Sequence, residues 1–451
     1  MAEAEGYGIG GLQITQNDIL SHGVDLFEPT RQEKSVLKGA EVVVLPMGGW
    51  KSSGPFKFEL PSQSGHYVQL GTFRLRGECR IIGPAGEDLV TNDDPVGIIN
   101  NFPASLFNKV EISINGTTVT DSGVTAAHYK SYIETVLTYG ADARSGHLDA
   151  AMFLMDAPNQ FDNPIAAANR PFATRRGRVQ DSRIFDWEIP LNADFLRADR
   201  YLPPGNDLKI ELTRNPDALS LLVAPAAHGH VRPNYKIEIR SLKLYYRQLQ
   251  LHPGVETYHM KGSKQSPFVY PINRTSIQTY DITHRQMHGN ITNMYNGHLP
   301  KSIVVGMVRN TAFNGDQLFN PYNFQHFNCN FMQLKVKGTT VPSEAYTPDF
   351  HGGLYAREFN SVFQNCGIGI SNQGNCFSRD LFAGGLFLVA FDLSPDNCNG
   401  FHQHAPDEGS VSLEIKFAQA LVEPIVVICY AVFDVEVRVG NDRQITSSYL
   451  Q

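Results

Sequence analysis

Two stretches of this sequence read alike and decide its fold: Phe107–Val119, FNKVEISINGTTV, and Phe327–Val341, FNCNFMQLKVKGTTV. Each opens on Phe-Asn, passes through an alternating segment and ends in Gly-Thr-Thr-Val. In the first, Val110, Ile112 and Ile114 alternate with Lys109, Glu111 and Ser113, and period-two alternation marks a strand with one face in a core. The two glycines, Gly116 and Gly338, lie 222 positions apart in a chain of 451 residues, close to half its length. After a loop, each stretch is followed by an aromatic face at helical spacing: Tyr129, Tyr132, Ile133 and Val136 in one, Tyr355, Phe359, Val362 and Phe363 in the other. Each half then closes in a strand-rich tail, Tyr235–Leu251 and Ile425–Val439. Strand, turn and helix in the same order at one offset predict an internal duplication. The crossing between halves falls near residues 250–262, in HPGVETYHMKG.

Working outward, the same periodicity recurs at Leu208, Ile210 and Leu212, at Val411, Leu413, Ile415 and Phe417, and at Phe433, Val435, Val437 and Val439. The phase slips between Leu70 and Phe73, across Gly71, and again between Ile239 and Leu242, which predicts β-bulges there. Asp149–Met155 offers one more helical turn or two. With 39 Gly and 26 Pro and no alternation of strands with long helices, the class is mainly β with helices confined to the connections.

A charged share of 18 % is low and an aromatic share of 10 % is generous, the balance of a chain that buries much surface, internally or against copies of itself. The net charge of −7 excludes a protein whose main task is to wrap nucleic acid, which needs a basic surface; it does not exclude a shell that encloses it. The opening residues, MAEAEGYGIGG, have neither a basic segment nor an apolar run, so no secretory signal is expected. No run reaches the roughly 18 apolar residues of a membrane span, and the longest apolar stretch, Leu421–Val439, is interrupted by Glu423, Pro424, Asp434, Glu436 and Arg438. The N-x-T triplets at Asn115, Asn273 and Asn290 then read as chance matches. Cys79, Cys329, Cys366, Cys376, Cys398 and Cys429 contain no C-x-x-C pair and are expected as reduced, mostly buried thiols.

Candidate chemistry is sparse. Gly6, Gly8 and Gly11 match G-x-G-x-x-G, but with only five residues ahead of them no strand precedes the turn that would cradle a pyrophosphate. His402, His404 and Glu408 form H-x-H-x3-E, a fragment of the metal motif of cupins, without that motif's flanking glycines and within a Gly/Pro/Asn-rich stretch expected as a surface loop. His228 and His230 in an Ala/Pro-rich segment are weaker still, and Asn92-Asp93-Asp94 is a slight acidic candidate for calcium. Arg170, Arg175, Arg176 and Arg178 make the one basic cluster, read as a solvated loop or a pairing with a neighbouring subunit. No G-x-S-x-G, H-E-x-x-H or G-x-x-x-x-G-K-[ST] occurs. The sequence therefore assigns no catalytic, cofactor-binding or metal-ligating residue.

Three longer stretches carry a family resemblance: NNFPASLFNKVEISINGTTV (100–119), YKSYIETVLTYGADARSGHL (129–148) and FNGDQLFNPYNFQHFNCNFMQLKVKGTTVP (313–342). In these, and over most of residues 25–440, the chain resembles the double-jelly-roll major capsid proteins of Polinton (Maverick) elements and adintoviruses, more distant relatives of adenovirus hexon. The resemblance implies two tandem eight-stranded jelly-roll β-sandwiches with short helices in the connections. It divides the chain into an N-terminal arm (1–24), a first sandwich (25–250), a second sandwich (251–440) and a C-terminal tail (441–451). It implies a structural protein, not an enzyme, without cofactors. Three copies would form a pseudo-hexagonal trimer, and trimers would tile an icosahedral shell around a DNA genome. Partners would be other copies of the chain, penton proteins and minor capsid proteins. The place would be the virion capsid, with the chain made in the host cytoplasm and assembled in the nucleus. Asn159–Arg178, Asn215–Pro233 and Cys366–Phe382 would be loops forming outer towers and trimer contacts. The residues leave two alternatives: a β-sandwich carbohydrate-binding module and a bicupin-type metalloenzyme.

Overall fold

A computed structural model of the chain describes residues 32–50, 54–89, 96–120, 126–164, 167–224, 234–370, 372, 374–375, 377–395 and 404–447, with the backbone of 8–9 and 12–13. Sixteen of the strands among the described residues fall into two sets of eight. In the first half these are β1 (Val36–Val44), β2 (Phe56–Leu60), β3 (Tyr67–Ile82), β4 (Phe107–Ile114), β5 (Thr117–Thr118), β6 (Phe185–Pro190), β7 (Leu208–Arg214) and β8 (Lys236–Leu251). In the second they are β9 (Phe268–Ile282), β10 (His288–His298), β11 (Ser302–Arg309), β12 (Cys329–Val336), β13 (Thr339–Tyr346), β14 (Leu388–Asp392), β15 (Glu408–Phe417) and β16 (Ile425–Val439).

Every pairing among them is antiparallel. The first half makes sheets β1-β8-β3-β6 and β2-β7-β4-β5; the second makes β9-β16-β11-β14 and β10-β15-β12-β13. Counted from the start of its own half, each sandwich reads 1-8-3-6 over 2-7-4-5, the strand order of a jelly roll. The duplication legible in the sequence is a duplication of topology, and the fold is the expected pair of tandem jelly rolls.

The repeated Gly-Thr-Thr-Val has a local cause. Asn115 and Gly116 turn with φ of 50° and 85°, and Lys337 and Gly338 with 51° and 81°. Two successive positive φ values make the tight hairpin turn whose twist matches its strands, here joining β4 to β5 and β12 to β13. Both phase slips are bulges. Tyr245 pairs with Arg74 and Arg247 with Gln69, so Leu70–Phe73 stand opposite Tyr246 alone, and the Phe73 and Tyr246 rings stack at 5.2 Å. Arg240 is the extra residue between the Ile239–Cys79 and Ser241–Glu78 pairs.

The two aromatic faces form helices α1 (Ala127–Thr138) and α4 (Ala356–Asn365). Of the expected turn over Asp149–Met155, only the start is helical, a 3-10 segment over His147–Ala151. The arginine cluster is helix α2 (Arg170–Val179), not a loop, and begins with Pro at its first turn. Helix α3 (Pro253–Gly262) joins β8 to β9 and opens with the His252 ring accepting the Gly254 N–H at 3.1 Å. Ile445–Ser447 folds back on Val437–Val439 as a short strand.

Two of the expected tower loops also prove partly regular. Leu221–Val223 pairs with Val96–Ile98, and the Val223 N–H reaches the Gln317 carbonyl at 2.7 Å, which lays this connection against the second sandwich. Arg379–Ala383 is a short helix. No helix among the described residues is long and apolar enough to cross a membrane.

Candidate functional site

The densest chemistry lies on the seam where the two sandwiches meet, through which their apolar cores are continuous. Helix α1 projects from the first sandwich because Tyr129, Tyr132, Ile133 and Val136 recur at helical spacing and all are fully buried. Its tyrosines meet rings of the second sandwich. Tyr132 and Tyr322 stack with centroids 4.0 Å apart and planes 2° from parallel. Tyr129 lies over Phe313 at 5.8 Å, and Phe324 sits 6.2 Å from Tyr132. Such offset and edge arrangements add about 0.5–1.5 kcal/mol per pair beyond the burial of area.

The polar face of α1 carries ions. Lys130 binds Asp194, and Glu134 binds Arg197 at 2.5 Å, so two cations face two carboxylates. The second sandwich completes the set: the Thr275 N–H donates to Asp194 at 2.8 Å and the Tyr430 hydroxyl to Glu134 at 3.1 Å. Burial resists the charge on Glu134, but Lys130 and Arg197 outweigh it and hold the carboxyl below its usual range.

A second cluster lies deeper. Arg175 and Asp156 pair at 2.6 Å with neither side chain exposed at all. Asn169 donates to Asp156 at 3.0 Å, and Asn320, from the second sandwich, donates to its other oxygen at 3.3 Å. Asp162 accepts the Asn320 N–H and the Asn323 amide, both at 2.7 Å; burial nonetheless pushes its carboxyl above the usual range. The basic cluster is thus split, with Arg175 a core residue, Arg178 bound to Asp149 at 2.8 Å and Arg170 exposed. The expectation of a solvated loop fails because a helix directs every third or fourth side chain inward.

Three buried polar atoms at this seam have no hydrogen-bond partner: His128 Nε2, Tyr129 OH and Tyr322 OH. Asn215 donates to His128 Nδ1 at 3.3 Å, which assigns the ring proton to Nε2. Burial holds the imidazole down to about 3, so it stays neutral.

The other sequence candidates do not join this site. His402, His228, His230 and Asn92–Asp94 lie outside the described residues, as do Gly6 and Gly11, and His404 is half-buried ahead of β15. Glu408 is exposed at the start of β15 and pairs with His298. Among the described residues, no group of three or more His, Cys, Asp or Glu comes together that could hold a metal ion. Cys79, Cys329, Cys366 and Cys429 are free thiols; burial pushes Cys79 and Cys329 up to about 12 and Cys366 to about 11, too high for nucleophiles. Cys376 and Cys398 are not among the described residues.

The seam therefore joins the two sandwiches, with Lys130 paired to Asp194, Arg197 to Glu134 and Arg175 to Asp156. It also brings together the stretches that carry the family resemblance. Tyr132 of YKSYIE stacks on Tyr322 of NPYNF, and Asn101 of NNFP donates to Ser131 of α1 at 3.3 Å. Asp156, Asp162, Asp194, Arg197, Thr275 and Tyr430 carried no signal in the sequence, being single residues far apart along the chain.

No family model matches the chain. An uncharacterised protein of Caenorhabditis elegans, F54H12.2, is 21 % identical over 363 residues, covering 78 % of this chain and 83 % of that one. Solved structures match over nearly the whole length. The Sputnik virophage structure matches with a TM-score of 0.61 at 13 % identity, covering 97 % of this chain and 93 % of the other. The PBCV-1 virus capsid gives 0.59 at 12 % identity, over 94 % and 100 %. The Faustovirus major capsid protein gives 0.55 at 8 % identity, over 94 % of each. These are likenesses of fold.

Proposed function

We propose that this chain is a major capsid protein, in which three copies assemble into a pseudo-hexagonal unit and such units tile an icosahedral shell around a DNA genome. The observation that carries this reading is the pair of like sandwiches locked side by side by a buried, neutralised seam. Two equivalent bodies joined in one chain turn three copies into six nearly equal lobes. The fold match to the capsid structures, over almost all of both chains, supports it, and the sequence resemblance to Polinton and adintovirus proteins points to that type.

In this role the protein acts through geometry and catalyses nothing. Contacts between units are individually weak and add through multivalency. The net charge of −7 suits a shell that contains DNA without gripping its sequence. Copies are made in the host cytoplasm and assembled in the nucleus, with penton and minor capsid proteins completing the virion.

Light scattering on the purified chain, with negative-stain images of the same peak, tests this. A stable species at three times the 50.1 kDa chain mass, six-lobed when seen end-on, is the expected result. A homogeneous single-chain species at all concentrations would overturn it.

A further inference from the structure

β1 and β9 hold the same place, the edge strand of the 1-8-3-6 sheet in each half, but they are not covered alike. β9 is buried at Tyr270, Ile272, Arg274, Thr275, Ile277 and Ile282. Part of that cover comes from the first sandwich. The Tyr201 carbonyl accepts the Tyr270 hydroxyl at 2.9 Å, the Phe195 ring lies 5.3 Å from that of Tyr270, and Asp194 takes the Thr275 N–H. β1 has no fully buried residue. Its exposed apolar side chains are Leu37, at a shift in register, and Val43, and the chain continues into Leu45 and Met47, all four roughly half exposed. An exposed apolar edge strand invites pairing or aggregation unless something covers it.

The second sandwich shows the matching deficit. Helices α1 and α4 each follow the fifth strand of their half. On α1, seven residues are buried, Lys130 and Glu134 among them, because the second sandwich closes over it. On α4 only Glu358, Ser361 and Val362 are buried. Beside it, Leu354 is 70 % exposed and Ile370 wholly exposed. Among the described residues, one molecule therefore displays both halves of an unmade seam: an edge strand on the first sandwich that none of them buries and a largely exposed helical flank on the second.

We propose that the seam repeats between copies, with β1 of one copy covered by the α4 flank of the second sandwich of another. The contact is heterologous, two different patches meeting, and such contacts close into rings when the rotation per step allows. This rests on the trimer reading above and deepens it by naming the surfaces. Made and unmade seams then alternate around a ring of six sandwiches.

The test uses the full chain and two readouts, mass by light scattering and hydrogen exchange over residues 36–44. Val43→Glu and Ile370→Glu are each expected to convert the three-copy species to single chains, while Val43→Thr keeps it. In Ile370→Glu, exchange over Val36–Val44 rises on the order of tenfold or more, although the substitution lies in the other sandwich. Circular dichroism verifies folding, and Leu354→Glu carries the test should Val43→Glu fail to fold. Three-copy mass in all folded variants would overturn the proposed surfaces and leave the capsid reading standing. Single chains in which residues 36–44 stay protected would also overturn it, and would assign the strand's cover to the chain's own residues 1–31. A wild-type chain that never exceeds single mass instead removes the capsid reading itself.

Discussion

Arg175 occupies a position where a guanidinium persists only with partners on every side. Its Nη2 meets Asp156, its Nε donates to the Ile98 carbonyl at 3.1 Å, and the Phe172 ring lies 5.7 Å away. Asp156→Ala would strand a buried cation and also release Asn169 and Asn320. The expected loss is about 3–5 kcal/mol, read from the urea midpoint. Replacing both charges with Arg175→Met and Asp156→Leu is expected to destabilise less than Asp156→Ala alone, because no charge is left unpaired. A single-variant loss no larger than that of an exposed ion pair would show that water reaches the guanidinium. This residue was also the least legible. Four arginines within nine positions read as solvated surface, while the helix signal beside them, Asn169 ahead of Pro171, is a usable start marker. Burial of Arg175 depends on Asp156, nineteen positions upstream, and on a segment of the other sandwich, neither of which periodicity can reveal.

At the scale of elements, strands and hairpins were legible because their causes are local. Alternation fixes which face of β4 is buried, and two positive φ values fix the turn after it. Gly116 and Gly77 separate two ways in which a glycine supports a strand. At Gly116 φ is +85° and a Cβ would meet nothing within 4 Å, so Gly116→Ala should cost only backbone strain, about 1 kcal/mol. At Gly77 a Cβ would stand 2.3 Å from Trp187 Cζ2, and the indole is tied by its N–H to Cys79 Sγ at 3.4 Å. Gly77→Ala should therefore cost about 3 kcal/mol through overpacking. Thermal unfolding of the two variants compares them, and a larger loss at Gly116 would mean the β3–β6 contact yields easily. What lay beyond local signals was the partner of each helix. The aromatic spacing of α1 and α4 announces two buried faces, yet only the fold shows that α1 is covered on both sides and α4 on one.

For the whole molecule, the seam makes stability depend on acid. An unfolded histidine takes up a proton near pH 6.5, whereas His128 in the folded chain does so only near 3 and His326 near 4. Below pH 6.5 the unfolded state thus binds more protons; the stabilisation is full above that pH and is lost progressively as pH falls toward the folded values. For His128 the loss between pH 7 and pH 4.5 is about 3 kcal/mol. Asp162, held above the usual carboxylate range by burial, works in the opposite direction, so the comparison is made with His128→Gln, which removes the imidazole alone. Urea midpoints at the two pH values should converge in that variant, and an unchanged pH dependence would clear His128 of the effect. Helix α3 adds a kinetic consequence. Because it tethers β8 to β9, the meeting of Tyr132 with Tyr322 is a first-order event, with an effective concentration on the order of millimolar for a short tether. Dilution slows encounters between copies but leaves this closure untouched, so a scarce, newly made chain completes its internal joint as promptly as an abundant one.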